Sequence, residues 1–239
     1  MLKADFHIHT NRDPKDNTVQ KKVIYSPYDI IDRAVEGKFD VLAFTHHDFQ
    51  LEDKQVFAYA KKKGILLIPG IEKTINGAHV LILNAPKKQS ENVDTFDDLR
   101  ELRNKFRNSL IIAPHPYHVL MNCLRGKLVK HIDLFDAIEM SSFTSIVLDL
   151  NGHARKVAKK FSKPIVATSD SHFSFQFGKS YTAVKSAKTV LGVVRAVKKG
   201  NVECFVNPLS VFGLARIFTL FFLFELRLGF LVRFLRLKQ

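Results

Sequence analysis

Ten histidines stand in this 239-residue chain, and their neighbours carry more information than their number. Six short segments put imidazole or carboxylate groups at or beside the ends of apolar, β-branched runs. They are Asp5-Phe6-His7-Ile8-His9, Thr45-His46-His47-Asp48, Pro69-Gly70-Ile71-Glu72, Gly77-Ala78-His79, Ala113-Pro114-His115-Pro116 and Ser169-Asp170-Ser171-His172. Residues two apart on a strand share a face, so His7 and His9 form a natural pair of ligands for one cation. Imidazoles and carboxylates at this density repel one another when charged and are costly to bury unpaired, unless a cation organises them. Each segment alone has an ordinary structural reading, such as a satisfied histidine pair or a rigid loop histidine between prolines. Six of them in register with strand ends point to metal-assisted chemistry.

Groups so far apart in sequence need a scaffold that gathers strand ends. Apolar runs over 2–7, 41–45, 66–71, 80–83, 110–113, 137–140, 165–167 and 203–206 read as buried, largely parallel strands. Between them lie helical patterns that start at Ser26-Pro27 and cover 51–63, 94–106, 147–161 and 189–199. This alternation predicts an α/β fold of repeated β-α units, and in a closed β/α barrel the strand C-termini converge on one face. Pro208 is the one plausible boundary, giving a catalytic domain over 1–207 and a tail over 208–239. The tail is rich in Phe and Leu and carries Arg216, Arg227, Arg233, Arg236 and Lys238 against Glu225. Its longest uncharged stretch, 217–224, is too short to span a bilayer. A hydrophobic, basic helical extension is expected there, with peripheral membrane contact through 209–239 or an interface as its use.

Bulk properties narrow the field further. With 46% hydrophobic and 25% charged residues the chain has the composition of a globular protein. Cys123 and Cys204 stand far apart, which leaves neither a disulfide framework nor a thiolate zinc site. The start Met1-Leu2-Lys3-Ala4-Asp5 has no apolar signal segment, so a cytoplasmic location is expected. The formal net charge of +14 favours anionic partners. Part of it, at Lys61-Lys62-Lys63, Lys159-Lys160 and Lys198-Lys199, falls at expected helix C-termini, where cations complement the helix dipole. That placement weakens a nucleic-acid reading, and no base-stacking aromatic pattern accompanies it.

The six segments, in their order, resemble the PHP (polymerase and histidinol phosphatase) superfamily. Its recurring pieces are D-x-H-x-H, a T-D-H-D-like motif, G-x-E, a following histidine, H-P and S-D-x-H. The resemblance covers residues 1–207 and implies a distorted, seven-stranded β/α barrel with a trinuclear metal site and phosphoesterase activity. Carried over residue by residue, it places His7, His9, Glu72 and Asp170 around a first metal. Glu72 then bridges to a second metal held by His79 and His115. His47 and His172 hold a third, with an acidic residue from the loop after His9. Asp13, followed by Pro14, is favoured over Asp16 for that last ligand. The sequence departs from the family in this acid's spacing and in His46, which stands where aspartate is usual. Asp5, His46, Asp48 and Asn151 are expected to support the ligands, and Arg12, His118 and Lys179 to contact substrate phosphate.

Mixed nitrogen and oxygen ligation without sulfur suits Zn²⁺, Mn²⁺ or Fe²⁺. A metal-activated hydroxide is then the expected nucleophile, and no serine or cysteine stands in a G-x-S-x-G setting. The leading expectation is a metal-dependent phosphoesterase acting on small phosphomonoesters or nucleotides. A 3′→5′ exonuclease or other nucleic-acid phosphodiesterase is the alternative within the enzymes, and a membrane-associated, metal-binding scaffold the alternative outside them.

Overall fold

The computed structural model describes residues 1–17, 25–118, 122–142, 144, 149–173, 175–208, 210, 212, 213, 215, 216 and 219. The chain opens with β1 (Leu2–Ile8), a single turn α1 (Pro14–Asn17), α2 (Pro27–Glu36), β2 (Val41–Phe44) and α3 (Lys54–Lys62). Next come β3 (Leu66–Ile75), β4 (Ala78–Leu83), α4 (Lys87–Glu91), α5 (Phe96–Lys105), β5 (Leu110–Ala113) and α6 (Gly126–Lys130). It continues through β6 (Ala137–Ser141), α7 (Gly152–Lys160), β7 (Ile165–Thr168), β8 (Ser180–Val184), α8 (Val190–Lys198) and β9 (Val202–Val206).

Local chemistry accounts for the helix ends. Ser26 and Asp29 form a capping box at α2 with Pro27 in the first turn, and Thr95 and Asp98 repeat the box at α5. Asp53 and Thr189 cap α3 and α8. Lys61 and Lys62, Lys159 and Lys160, and Lys198 fall in the last turns of α3, α7 and α8, where positive charge complements the helix dipole.

The sheet has nine strands in the order β7-β6-β5-β4-β3-β2-β1-β8-β9, rather than the expected seven. Four pairings are parallel, β1–β2, β2–β3, β5–β6 and β6–β7. The others, β3–β4, β4–β5, β1–β8 and β8–β9, are antiparallel, so the sheet is mixed. Two causes are visible. Asn76-Gly77, with φ of 46° and 73°, turns β3 straight back into β4 as a hairpin, so this pair is antiparallel in a sheet expected to be largely parallel. Ser180–Val184 alternates buried and half-buried residues, so its sequence lacks the continuous apolar run that marks the other strands.

The two ends of this order nearly meet, which makes the sheet barrel-like. Ile8 bridges to Ser171, and the His9 N–H donates to Ser171 O at 3.1 Å, so β1 meets the segment after β7 on the functional face. Lower down, Thr182 of β8 stitches to β7 by accepting from Ala167 N at 2.9 Å and donating to Ala167 O at 2.8 Å. Cys204 on β9 donates its thiol to Ile165 O at 3.0 Å. One buried cluster draws residues from every strand from β1 to β8, Phe6, Val41, Ile68, Leu81, Ile112 and Val166 among them. A cluster with that membership is the barrel interior, and Val193, Val194 and Val197 of α8 close its lower end.

Gly70 shows how tightly β3 is threaded beside the site. A Cβ there would lie 2.5 Å from Leu83 Cδ2 and 3.0 Å from Thr45 Cγ2, so only glycine lets β3 pass between β2 and β4 two residues before Glu72. Gly70→Ala is expected to lower the unfolding free energy by about 1–3 kcal/mol, read from urea titration. An unchanged midpoint would mean that Leu83 absorbs the methyl group.

The tail helix expected over 209–237, and with it the membrane-contact reading of 209–239, falls largely outside the described residues. Among the described residues no helix is long and apolar enough to cross a membrane.

Candidate metal centre

Above the apolar layer, the strand ends bring eight of the nine expected ligands into mutual contact. His7, His9, His47, Glu72, His79, His115, Asp170 and His172 form four overlapping triads whose donor atoms lie within 4.8 Å of one another. All are buried except His47, which is half-buried. Glu72 is the hub: nitrogens of His7, His9, His47, His79 and His115 lie 3.3, 3.4, 3.2, 2.8 and 3.1 Å from its carboxylate. The triads cut across the three-metal partition implied by the family resemblance. His115 groups with His7 and Asp170, and His47 groups with Glu72 and His79 as well as with His9 and His172.

The donor set fits a cation on the structure's own terms. His7 turns Nδ1 to Glu139 Oε1 at 2.9 Å, and His9 turns Nδ1 to Asp13 Oδ2 at 2.8 Å. Their Nε2 atoms then face each other at 3.3 Å, both directed at Glu72 and Asp170. When neutral at Nε2, these four side chains offer only electron pairs to the space they share. The Nδ1 of His79 lies 2.8 Å from Glu72 without hydrogen-bond geometry, and Asp170 Oδ2 finds no hydrogen-bond partner among the described residues.

The titration behaviour expresses the same demand for positive charge. Burial opposes a charge on His7, but Asp170, Glu139 and Glu72 outweigh it and hold its pKa well above the imidazole range. His9 moves the other way, held well below that range by burial and by His172 and His47. Their rings stack in a ladder, with His9 4.4 Å from His47 and 4.1 Å from His172. Glu72 and Asp170 stay ionised despite burial because of the imidazoles around them. A divalent cation would meet this demand and displace the proton from His7.

Asp13, the favoured acid of the loop after His9, reaches the rings of the cluster but stands outside the four triads. Its Oδ2 lies 2.8 Å from His9 Nδ1, 2.9 Å from His47 Nδ1 and 2.9 Å from His47 N, so one oxygen fixes two rings. The side chain of Asp16 lies outside what is described. Glu139 is the residue that sequence reasoning missed. Fully buried on β6, it accepts from His7 Nδ1, from His115 N at 2.6 Å and from the Thr168 hydroxyl, and so ties four strand ends together. A lone acid inside the apolar run Ala137-Ile138-Glu139-Met140 was the available signal.

Three of the expected supporting residues act on backbone rather than on ligand rings. Asp5 accepts from the N–H groups of His7 (3.3 Å) and Ser169 (3.1 Å), joining β1 to the end of β7. Burial pushes its pKa up to about 7 against those hydrogen bonds. Asp48 accepts from Thr74 N at 2.7 Å and pairs with Lys15, so it braces β3 instead of the imidazoles. Asn151 spans Ser141, donating to its O at 2.9 Å and accepting from its N at 3.2 Å. His46 turns away from the ligands. It bonds Thr10 Oγ1 at 2.8 Å and stacks between Phe44 and Phe49, and burial, with His47 beside it, holds its pKa near 4 against the pull of Asp13.

Of the three residues expected to meet phosphate, His118 is buried beside His115, with ring centroids 5.9 Å apart. Burial and His115 lower its pKa to about 4, leaving a neutral ring. Arg12 and Lys179 are exposed, and among the described residues neither side chain is brought into contact with the cluster.

A family model described as PHP-associated matches residues 149–202, the stretch that holds Asn151, Asp170 and His172. Over that stretch the chain is similar to the PHP-associated family. The fold recurs in solved structures of low sequence identity. PsfC from Pseudomonas syringae PB-5123 is 15% identical over 86% of this chain and 91% of that chain, with a TM-score of 0.58. An amidohydrolase from Chromobacterium violaceum, solved with bound sulfate and no metal, is 14% identical over 84% of this chain and 97% of that chain, with a TM-score of 0.54. No curated protein matches this chain in sequence.

Proposed function

We propose that this protein is a metal-dependent phosphoesterase of the PHP type that hydrolyses small phosphomonoesters or nucleotides at a three-metal centre. The observation that carries the reading is the buried convergence of His7, His9, Glu72 and Asp170, whose donor atoms face a common space. Bound Zn²⁺, Mn²⁺ or Fe²⁺ would supply Lewis-acid neutralisation of phosphoryl charge and acidify water near neutral pH.

The chain's own residues do the positioning. Glu139 and Asp13 hold the Nδ1 protons of His7 and His9, which keeps Nε2 of both rings as the ligand atom. Glu72 spans the centre and touches imidazoles from both of its sides. Gln176 clamps the loop of Asp170 and His172, accepting from His172 N at 3.0 Å and Phe173 N at 2.8 Å. His118, buried beside His115 with its pKa lowered to about 4, would offer a phosphoryl oxygen a hydrogen bond without adding charge. Asp5, Glu72, Glu139 and Asp170 are enclosed, which keeps their charges in a low-dielectric setting. The sulfate in the Chromobacterium violaceum neighbour has the shape and charge of the phosphate group proposed here as substrate.

The test is metal quantification on protein purified without chelator, followed by turnover of a phosphomonoester panel beside a single-stranded oligonucleotide. Two to three equivalents of transition metal are expected on the three-metal reading, with monoester turnover that a chelator abolishes and added metal restores. Oligonucleotide cleavage alone would replace the reading with a nucleic-acid phosphodiesterase. A metal-loaded protein with neither activity would replace it with a binding scaffold.

A further inference from the structure

The tail begins on the same face as the metal ligands. β8 runs antiparallel to β1, and β9 returns antiparallel to β8 with Val206 opposite Ser180, beside the upper end of β1. Asn207 N donates to Lys179 O at 3.2 Å, which fixes the exit of the chain there. A cavity of about 250 Å³ lies at this exit, lined by Met140, Thr144, Asn151, Arg155, Val206 and Pro208 among others.

From the tail, Arg216 reaches back onto the loop that carries two of the ligands. Its guanidinium carbon lies 4.6 Å from the ring centroid of Phe175, inside the range of a cation–π contact. Phe175 stacks in turn on the fully buried Phe173, with centroids 5.9 Å apart and planes 4° from parallel. Phe173 follows His172 directly and Phe175 stands two residues further on, in the loop that Gln176 ties to Asp170 and His172. Arg216 Nε is shielded from solvent yet has no hydrogen-bond partner, and no carboxylate pairs with the side chain among the described residues. A guanidinium offers five donors in a fixed fork, and shielding one without a partner costs free energy that an anionic oxygen recovers.

We propose that Arg216 is a substrate-recognition residue, whose guanidinium, seated on Phe175, binds anionic oxygens of the phosphate ester presented to the metal centre. This rests on the phosphoesterase reading above. It assigns to the tail a part in the site, in addition to any surface the rest of the tail engages.

The experiment uses the full-length, metal-loaded chain with Arg216→Ala and Arg216→Lys. Loss of one charged contact to the substrate predicts that Arg216→Ala raises KM for a phosphomonoester about tenfold with kcat within about twofold. Inorganic phosphate binding, measured by calorimetry, should weaken by a similar factor at unchanged metal content, and Arg216→Lys should recover part of both. Unchanged KM and unchanged phosphate affinity in Arg216→Ala overturn the proposal. So does a fall in kcat that follows a fall in metal content, because that is a purely structural role. If the unaltered chain hydrolyses no phosphoester but binds phosphate through Arg216, the phosphoesterase reading fails while the anion site stands. If it neither hydrolyses nor binds, both fall.

Discussion

Asp170→Ala is expected to reduce phosphomonoester turnover by about a thousandfold or more, as the loss of several kcal/mol of metal-derived stabilisation requires. Asp170 Oδ1 lies 3.4 Å from His7 Nε2 and 3.5 Å from His172 Nδ1, so its removal opens the centre on the side where both rings converge. The folded state should survive. The lost carboxylate is one of three that raise the His7 pKa, and without it His7 becomes easier to keep neutral in the buried cluster. Three measurements check the result together: turnover, metal per chain, and the rise in Tm that added metal produces. The unaltered protein should gain Tm with metal and the variant should gain less, because stabilisation by a ligand follows its affinity. Retention of turnover with full metal loading would remove Asp170 from the centre. His7→Ala should behave alike, with the added loss of a partner for Glu139.

Glu139→Gln is expected to weaken metal binding by about 10- to 100-fold, although Glu139 itself lies behind the ligands. Its two oxygens accept from three donors, His7 Nδ1, His115 N and the Thr168 hydroxyl. A glutamine of the same shape has one carbonyl oxygen and must turn its NH₂ group toward one of those donors. If it faces His115 N, a buried N–H loses its acceptor, a cost of about 1–3 kcal/mol. If it faces His7, the ring takes its other tautomer and the proton moves to Nε2, the atom that offers the metal its electron pair. Either outcome shows as a rightward shift of the metal titration midpoint, with turnover largely recovered at saturating metal. An unchanged midpoint would make Glu139 a packing residue.

What the sequence revealed of this molecule, and what it hid, divides along the range of the interactions. Cap residues such as Ser26, Thr95 and Thr189 act within three residues of themselves, so the helix starts they mark were legible. The clustered histidines were legible because each sits at or beside a strand end with a telling neighbour, as His115 does between two prolines. Glu139 was not, because its partners lie 132, 24 and 29 residues away and only the order of strands brings them to it. Asp48 and His46 stand beside the ligand His47, yet a left-handed backbone at Asp48 (φ 51°) sends its carboxylate to Thr74. Adjacency in sequence said nothing about that turn. Strand β8 was hidden for a third reason. Its alternating pattern was outweighed by the apolar runs that mark its neighbours, and with it went the antiparallel closure against β1 and β9.

The first strand of the chain lies at the seam of the barrel, with β2 on one edge and β8 and Ser171 on the other. During synthesis from the N-terminus, the edge of β1 that later meets β8 therefore stays without its partner until residues beyond 180 have emerged. Asp5 waits likewise for Ser169, 164 residues downstream. The same strand holds His7 and His9. Completion of the donor cluster and closure of the barrel are thus one late event in the life of the nascent chain, and a metal ion present at that moment meets both.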